Sequence, residues 1–230
     1  MTRKDGFFRG FSPDVMEARC QGRMMARREL CVTDFLKAQG LVRGASVLEL
    51  GSGTGQTMAQ VGKRFPDVMF YGVEPVAAYV EHACARYAPG HAFLKYLQGT
   101  AEEIPLPEAS VDCAYAINIW HHVPLGGLRC GAQALARVIK PGGCLFLIEP
   151  NFRHPYVFIY QALTQGERCF FPWRELDVLK AFFSVERTGF CFLFPEAVRS
   201  LTPLGDKIEA ALEGIPFLGG SVLYTCRRKR

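Results

Sequence analysis

The stretch SVLELGSGTGQ, residues 46–56, runs three aliphatic side chains into three glycines, Gly51, Gly53 and Gly55, each one residue apart. A short apolar run bounded by glycine reads as a buried strand, and glycine enters sharply turned backbone without a side-chain penalty. The stretch therefore predicts a strand turning abruptly into a helix, an arrangement that lets a nucleotide-like ligand lie close to the backbone. A dinucleotide-binding fingerprint counted from Gly51 would place its third glycine at position 56, where Gln56 stands. The spacing is instead E-x-G-x-G-x-G, formed by Glu49, Gly51, Gly53 and Gly55.

Outward from this loop the chain repeats one logic. Strand-like runs ASVLEL, VMFYGVE, AFLKYL, VDCAYAIN and GCLFLIEP alternate with helical stretches such as GQTMAQVGKRF, VAAYVEHACARY and LRCGAQALARVIK. That alternation predicts crossover units and a parallel sheet covered by helices on both faces. Ahead of it a single long helix is expected, with Ser12 as its cap, Pro13 in its first turn and Gly40 at its end. Beyond residue 150, two further strands, FSVERTGFCFLF and SVLYTCRR, flank a helix, LGDKIEAALEG, and can pair antiparallel at a sheet edge.

The motifs in their order resemble those of the class I S-adenosylmethionine-dependent methyltransferases, in the manner of the small-molecule, type 11-like members. VLELGSGTG is similar to the first motif, and Glu74 in YGVEP stands where the family carries its second-strand acidic residue. The segments QGTAEEIPLPEASVDCAYAINIWHHV and LARVIKPGGCLFLIEPN are similar to the third, fourth and fifth strand-end segments. The resemblance covers about residues 45–150 and implies an α/β fold with a Rossmann-like, mostly parallel seven-stranded sheet, helices on both faces and an antiparallel edge strand. Length and composition suit one domain. It is read as residues 1–230, with 1–44 a helical cap, 45–150 the cofactor-binding core and 151–230 a substrate-side cap with the final strands.

The implied cofactor is S-adenosylmethionine, leaving S-adenosylhomocysteine as product. The resemblance assigns its binding to Glu49, Gly51, Ser52, Gly53, Thr54, Gly55, Glu74, Pro75, Thr100, Ala101, Glu102, Asn118, Ile119 and Trp120. Glu74 is placed to accept from both ribose hydroxyls. Many relatives carry Asp at the position of Thr100, so the Thr100 hydroxyl or Glu102 takes over the adenine contact. Ile119 and Trp120 are expected at the mouth of the site. His121 and His122, with His154, Tyr156 and Tyr160, are the candidate bases, although a helix-start packing role is the preferred reading of the His pair.

Other features narrow the chemistry. NIWH replaces the Asn/Asp-Pro-Pro-aromatic tetrad of relatives that methylate bases or glutamine, which argues against nucleic acid. Asn118 has no acidic neighbour, so no metal is expected. Nine cysteines, Cys20, Cys31, Cys84, Cys113, Cys130, Cys144, Cys169, Cys191 and Cys226, form no C-x-x-C pair and read mainly as small buried hydrophobes. The N-terminal MTRKDGFFRGF lacks an apolar run of signal-peptide length, and a cytoplasmic location is the default expectation.

Two surface features complete the reading. Phe152, Tyr156, Phe158, Tyr160, Phe170, Phe171, Trp173, Phe182, Phe183, Phe190, Phe192 and Phe194 crowd the stretch after the fifth strand. Some of them, with Phe7, Phe8 and Phe11, can cap the cofactor crevice and hold an apolar acceptor. Arg19, Arg23 and Arg27 fall in one helical row and, with the RRKR terminus, either form a solvated face or meet an anionic membrane. The expected activity is methyl transfer to oxygen or carbon of a hydrophobic small molecule or lipid-linked intermediate. A catalytically silent binding subunit and a nicotinamide-dependent oxidoreductase are the alternatives.

Overall fold

Strand β1 (Ser46–Leu50) is buried along nearly its whole length, as a strand covered on both faces must be. Its side chains alternate: Leu48 and Leu50 join one core, and Val47 joins the other. The computed structural model describes residues 11–19, 21–163, 168–192, 212, 215–216 and 218–230.

Among these residues one seven-stranded sheet is formed by β1, β2 (Met69–Glu74), β3 (Leu94–Gln98), β4 (Val111–Ile117), β5 (Ile139–Pro150), β6 (Phe183–Phe192) and β7 (Gly219–Arg228). The order is β3-β2-β1-β4-β5-β7-β6. Strands β1 to β5 pair in parallel, and β7 runs antiparallel between β5 and the edge strand β6. The antiparallel strand thus lies one position in from the edge. The order changes direction between β1 and β4, and in such sheets ligands settle in the crevice at the carboxyl ends of those two strands.

Helices α1 (Pro13–Arg19), α2 (Arg23–Ala38), α3 (Gln56–Gly62), α4 (Ala77–Tyr87) and α5 (Leu128–Val138) surround the sheet, and the short α6 (Pro155–Leu163) and α7 (Pro172–Glu175) follow β5. One core packs Val32 and Leu36 of α2, Met58 of α3 and Ala83 of α4 on Val47, Phe70 and Tyr115. The other packs Leu135 of α5 on Leu48, Ala114 and Leu147. Phe35 stacks on Phe146 with ring centres 4.6 Å apart, anchoring α2 beneath β5.

The N-terminal helix differs from the single element expected. Ser12 accepts from the Val15 N–H at 3.4 Å and Gly40 ends α2 with φ +61°, but Gly22 at φ 114°, ψ 177° breaks the run between them. The row of Arg19, Arg23 and Arg27 therefore does not belong to one helix. Glu17 ties α1 to α4 through His82 Nε2 at 2.7 Å, Arg86 Nε at 3.1 Å and the Tyr87 hydroxyl. The RRKR terminus sits at the amino edge of the parallel strands, where Arg227 donates to the Gly142 carbonyl at 3.0 Å, Arg228 to Ile139 and Lys229 to Lys180 at 2.6 Å. Of the cysteines, Cys113, Cys144, Cys191 and Cys226 are buried, whereas Cys84 and Cys130 are exposed on helices. The helix expected over 204–214 lies outside the described residues apart from helical Leu212, as do Phe7, Phe8, Phe194 and Cys20.

Candidate functional site

After β1 the backbone alternates through three left-handed glycines, at φ +73° for Gly51, +51° for Gly53 and +86° for Gly55. The three serve different ends. A Cβ on Gly55 would lie 2.7 Å from Ala83 Cβ and from the Tyr96 ring, and one on Gly51 would strike the Ile119 side chain at 2.3 Å. Around a Cβ on Gly53 nothing lies within 4 Å. Gly55 is therefore dictated by packing and Gly51 by Ile119, while Gly53 alone faces open space.

Glu74, at the end of β2, holds this loop. Its Oε2 accepts from the Gly53 N–H at 3.0 Å and its Oε1 from the Val76 N–H at 3.1 Å. Burial pushes its carboxyl up, and these two donors counteract the rise. Each carboxylate oxygen retains acceptor capacity for a ligand hydroxyl. Pro75 follows at the turn into α4, and the Tyr79 hydroxyl donates to the Phe11 carbonyl at 3.2 Å, bringing the N-terminal arm to this edge.

Glu49 is buried on the face of β1 toward α3, with burial first and the Glu29 and Glu74 charges next raising its carboxyl well above the usual range. Its Oε2, the Ser52 Oγ and the Gln56 Oε1 are buried without hydrogen-bond partners among the described residues. Buried polar atoms are nearly always paired. The Tyr115 hydroxyl lies beside Glu49 and offers it a donor, whereas Ser52 and Gln56 keep acceptors that suit a ligand bearing ammonium and hydroxyl donors, as the amino-acid and ribose groups of adenosylmethionine do. Thr54 is buried beside them.

The end of β4 was less legible. Asn118 takes a left-handed φ of +55°, and with its amide oriented as hydrogen bonding requires, the oxygen accepts from Arg28 Nη1 at 2.9 Å and Nη2 at 3.0 Å. Arg28 also donates to Ser221 Oγ at 3.2 Å, so a buried guanidinium joins α2 to the ends of β4 and β7. Of the two residues expected at the mouth, Ile119 lies against Gly51. Trp120 does not: it is fully buried in the core, and its Nε1 donates to the Glu175 carbonyl at 2.9 Å. Its indole carries too much apolar area to leave in water once α5 and α7 offer a cover.

Glu149, missed in the sequence, organises the segment. From the end of β5 its Oε1 accepts from the N–H groups of Ile119 at 3.1 Å and Trp120 at 2.8 Å, and its Oε2 pairs with His121 Nδ1 at 2.6 Å. The signal available was the repeated strand-end pair, VEP at Glu74 and IEP at Glu149. His121 is thus committed to a buried carboxylate, and burial together with the charges of His121 and Arg168 depresses His122 to about 2. His154 accepts the Val157 N–H at 3.4 Å as it starts α6, and burial lowers it too.

Beyond β3, Thr100 Oγ1 accepts from the Glu103 N–H at 3.1 Å, closing its own turn, and Ala101 is buried. The Glu102 carboxylate lies against Gly127, where a Cβ would meet its Oε1 at 2.2 Å.

After β5 a second buried carboxylate fixes the aromatic segment. Glu175 receives Arg168, Arg174 at 2.6 Å and the Phe171 N–H at 2.9 Å, while Arg168 reaches the Val123 carbonyl at 3.0 Å. Phe152, Phe171 and Trp173 form one cluster with ring centres 5.1–5.6 Å apart. Phe170 and Phe183 belong to the core, whereas Tyr156, Phe158 and Tyr160 are exposed on α6. The described aromatic residues therefore fall into a core pair, an exposed set on α6 and the Phe152–Phe171–Trp173 cluster. Tyr156 lies in the open, stacked at 6.3 Å on Tyr160. No group of three or more His, Cys, Asp or Glu suited to a metal ion occurs among the described residues.

Residues 47–143 match the family model described as a methyltransferase domain. The uncharacterized methyltransferase YdaC of Bacillus subtilis is 34% identical over 107 residues, covering 45% of this chain and 55% of the relative. An O-methyltransferase, rstn1, of Aspergillus nomiae is 30% identical over 110 residues, 47% of this chain and 48% of the relative. The chain spans about half the length of these curated relatives. Among solved structures the DszA carbon methyltransferase is similar in fold, with a TM-score of 0.67 at 17% identity over 99% of this chain and 60% of that one.

Proposed function

We propose that this chain, whose residues 47–143 match a methyltransferase-domain family model, is a class I S-adenosylmethionine-dependent methyltransferase that methylates oxygen or carbon of a hydrophobic small molecule or lipid-linked acceptor. The nicotinamide alternative gives way to the family match over the loop itself. The observation that carries the cofactor reading is the Glu74–Gly53 hydrogen bond beside the open face of Gly53.

Adenosylmethionine, when bound, supplies a methyl group on a sulfonium, and the chain has mainly to align an acceptor with it and exclude water. In this reading Glu74 holds the ribose hydroxyls, and Glu49, Ser52 and Gln56 receive the amino-acid end. Thr100, Ala101 and Glu102 line the adenine side. Asn118, fixed by Arg28, and Ile119 border the acceptor side. The Phe152–Phe171–Trp173 cluster offers apolar contact at the same edge of the sheet. The names of the O-methyltransferase relative and the carbon methyltransferase neighbour support the choice of atoms. The proposal treats residues 1–230 as one methyltransferase unit.

One observation favours the silent-subunit reading: His121 and His154 both have hydrogen-bonding work apart from any acceptor. Incubation with methyl-labelled adenosylmethionine and separate apolar and aqueous metabolite extracts tests the choice. Label in the apolar fraction is expected; label confined to the aqueous fraction overturns the acceptor class, and cofactor binding without label in either supports the silent subunit.

A further inference from the structure

Two thiols far apart in the chain meet where α2 crosses the edge of the sheet. Arg28 Nη2 donates to Ser221 Oγ at 3.2 Å, and Ser221 stands opposite Cys191 in the antiparallel pairing of β6 with β7. Cys31 follows Arg28 by three residues, which puts both on one face of α2. Its thiol is in hydrogen-bond contact with that of Cys191. Neither cysteine is in a disulfide; Cys191 is buried and Cys31 half-buried, so the pair meets solvent through Cys31.

The contact divides the roles. Cys191 donates to the Cys31 sulfur, and that hydrogen bond lowers the Cys31 thiol while it raises the Cys191 thiol. At Cys31 burial opposes the fall, the Arg27 charge assists it and Asp34 resists it; Arg27 and Arg28 both act on Cys191. The buried thiols of Cys113, Cys144 and Cys226 are instead raised by burial. Thiol oxidation begins at a thiolate that solvent can reach and is completed by a resolving thiol beside it.

We propose that Cys31 and Cys191 are a peroxide-sensitive pair whose oxidation crosslinks α2 to β6. The Cys31 thiolate attacks one oxygen of hydrogen peroxide; the O–O bond breaks, and hydroxide leaves and takes up the proton that Cys31 released, leaving Cys31 as a sulfenic acid. The Cys191 sulfur then gives up its proton and attacks the Cys31 sulfur; the S–O bond breaks, the hydroxyl departs with that proton as water, and the S–S bond closes. Two thiols are oxidised and one peroxide is reduced to two waters. The bridge ties the helix that holds Asn118 through Arg28 to the edge strand of the sheet. The pair goes beyond the methyl-transfer reading and does not rest on it.

The full chain, reduced and then freed of reductant, is treated with hydrogen peroxide, its remaining thiols are alkylated, and its peptides are mapped without reduction by mass spectrometry. A Cys31–Cys191 peptide that dithiothreitol splits is expected, with two of the nine thiols lost. Cys191→Ser should lose the bridge and leave Cys31 open to dimedone, which marks sulfenic acid, whereas Cys31→Ser should leave Cys191 unoxidised. Alkylation of both cysteines after peroxide, a bridge from Cys31 to any other cysteine, or oxidation confined to the exposed Cys84 and Cys130 overturns the proposal. If a serine variant fails to fold, the wild-type map still decides.

Discussion

Glu74 Oε2 accepts the Gly53 N–H at 3.0 Å, so a carboxylate at the end of β2 holds the loop that ends β1. Glu149 repeats the device one switch away: from the end of β5 it holds the N–H groups that follow β4. Both strand-end loops of the crevice are thus pinned by a buried carboxylate on the neighbouring strand.

The glycines separate binding from folding. Gly53→Ala places a Cβ in open space and should cost about 1–2 kcal/mol through its left-handed φ, while weakening adenosylhomocysteine binding in calorimetry. Gly55→Ala drives a Cβ into Ala83 and Tyr96 and should cost about 2–4 kcal/mol in urea unfolding. Equal stability losses in the two variants contradict this division.

Removing Glu149 leaves the Ile119 and Trp120 N–H groups and His121 without their buried acceptor. Glu149→Ala should destabilise the fold by about 3–5 kcal/mol in urea. A loss below about 1 kcal/mol would show that the clamp is dispensable.

Glu49 gives a pH signature. Its folded pKa lies well above 4.5, so the folded state binds more protons than the unfolded state above pH 4.5 and stability falls as pH rises through the raised pKa. Glu49→Gln removes that loss: its melting temperature should exceed that of wild type at pH 8 and converge with it toward pH 4, while cofactor affinity drops. A difference independent of pH contradicts the assignment.

Phe171 tests the acceptor side. Phe171→Ala removes an aromatic ring stacked at 5.1 Å on Trp173, and kcat/KM for an apolar acceptor should fall by roughly tenfold or more, with adenosylhomocysteine affinity little changed. A matching loss of cofactor affinity would place the cluster in the cofactor site.

The sheet and the glycine loop were legible because their signals are local: apolar runs of strand length, and a spacing that only one backbone path accommodates. Glu74 was legible for the same reason. Trp120 and Glu149 were not, since their partners lie 28–55 residues away; Glu175 was not either, because its local partners Arg168, Phe171 and Arg174 converge on it only once the segment folds. The break at Gly22 was written in the glycine but lost among good helix formers on either side. Helix α6 defeated the usual inference altogether: its apolar composition says buried, and its side chains lie outside.

The most direct test is calorimetric titration of adenosylhomocysteine into wild type and Glu74→Gln. Exchange of the carboxylate for an amide weakens its hydrogen bonds to ribose hydroxyls, and the affinity should fall by about ten- to a hundredfold, equivalent to about 1.5–3 kcal/mol. Saturable binding with that loss supports the crevice at Glu74 and Gly53 as the cofactor site. Wild-type binding that Glu74→Gln leaves unchanged, or no binding by a folded wild type, contradicts it.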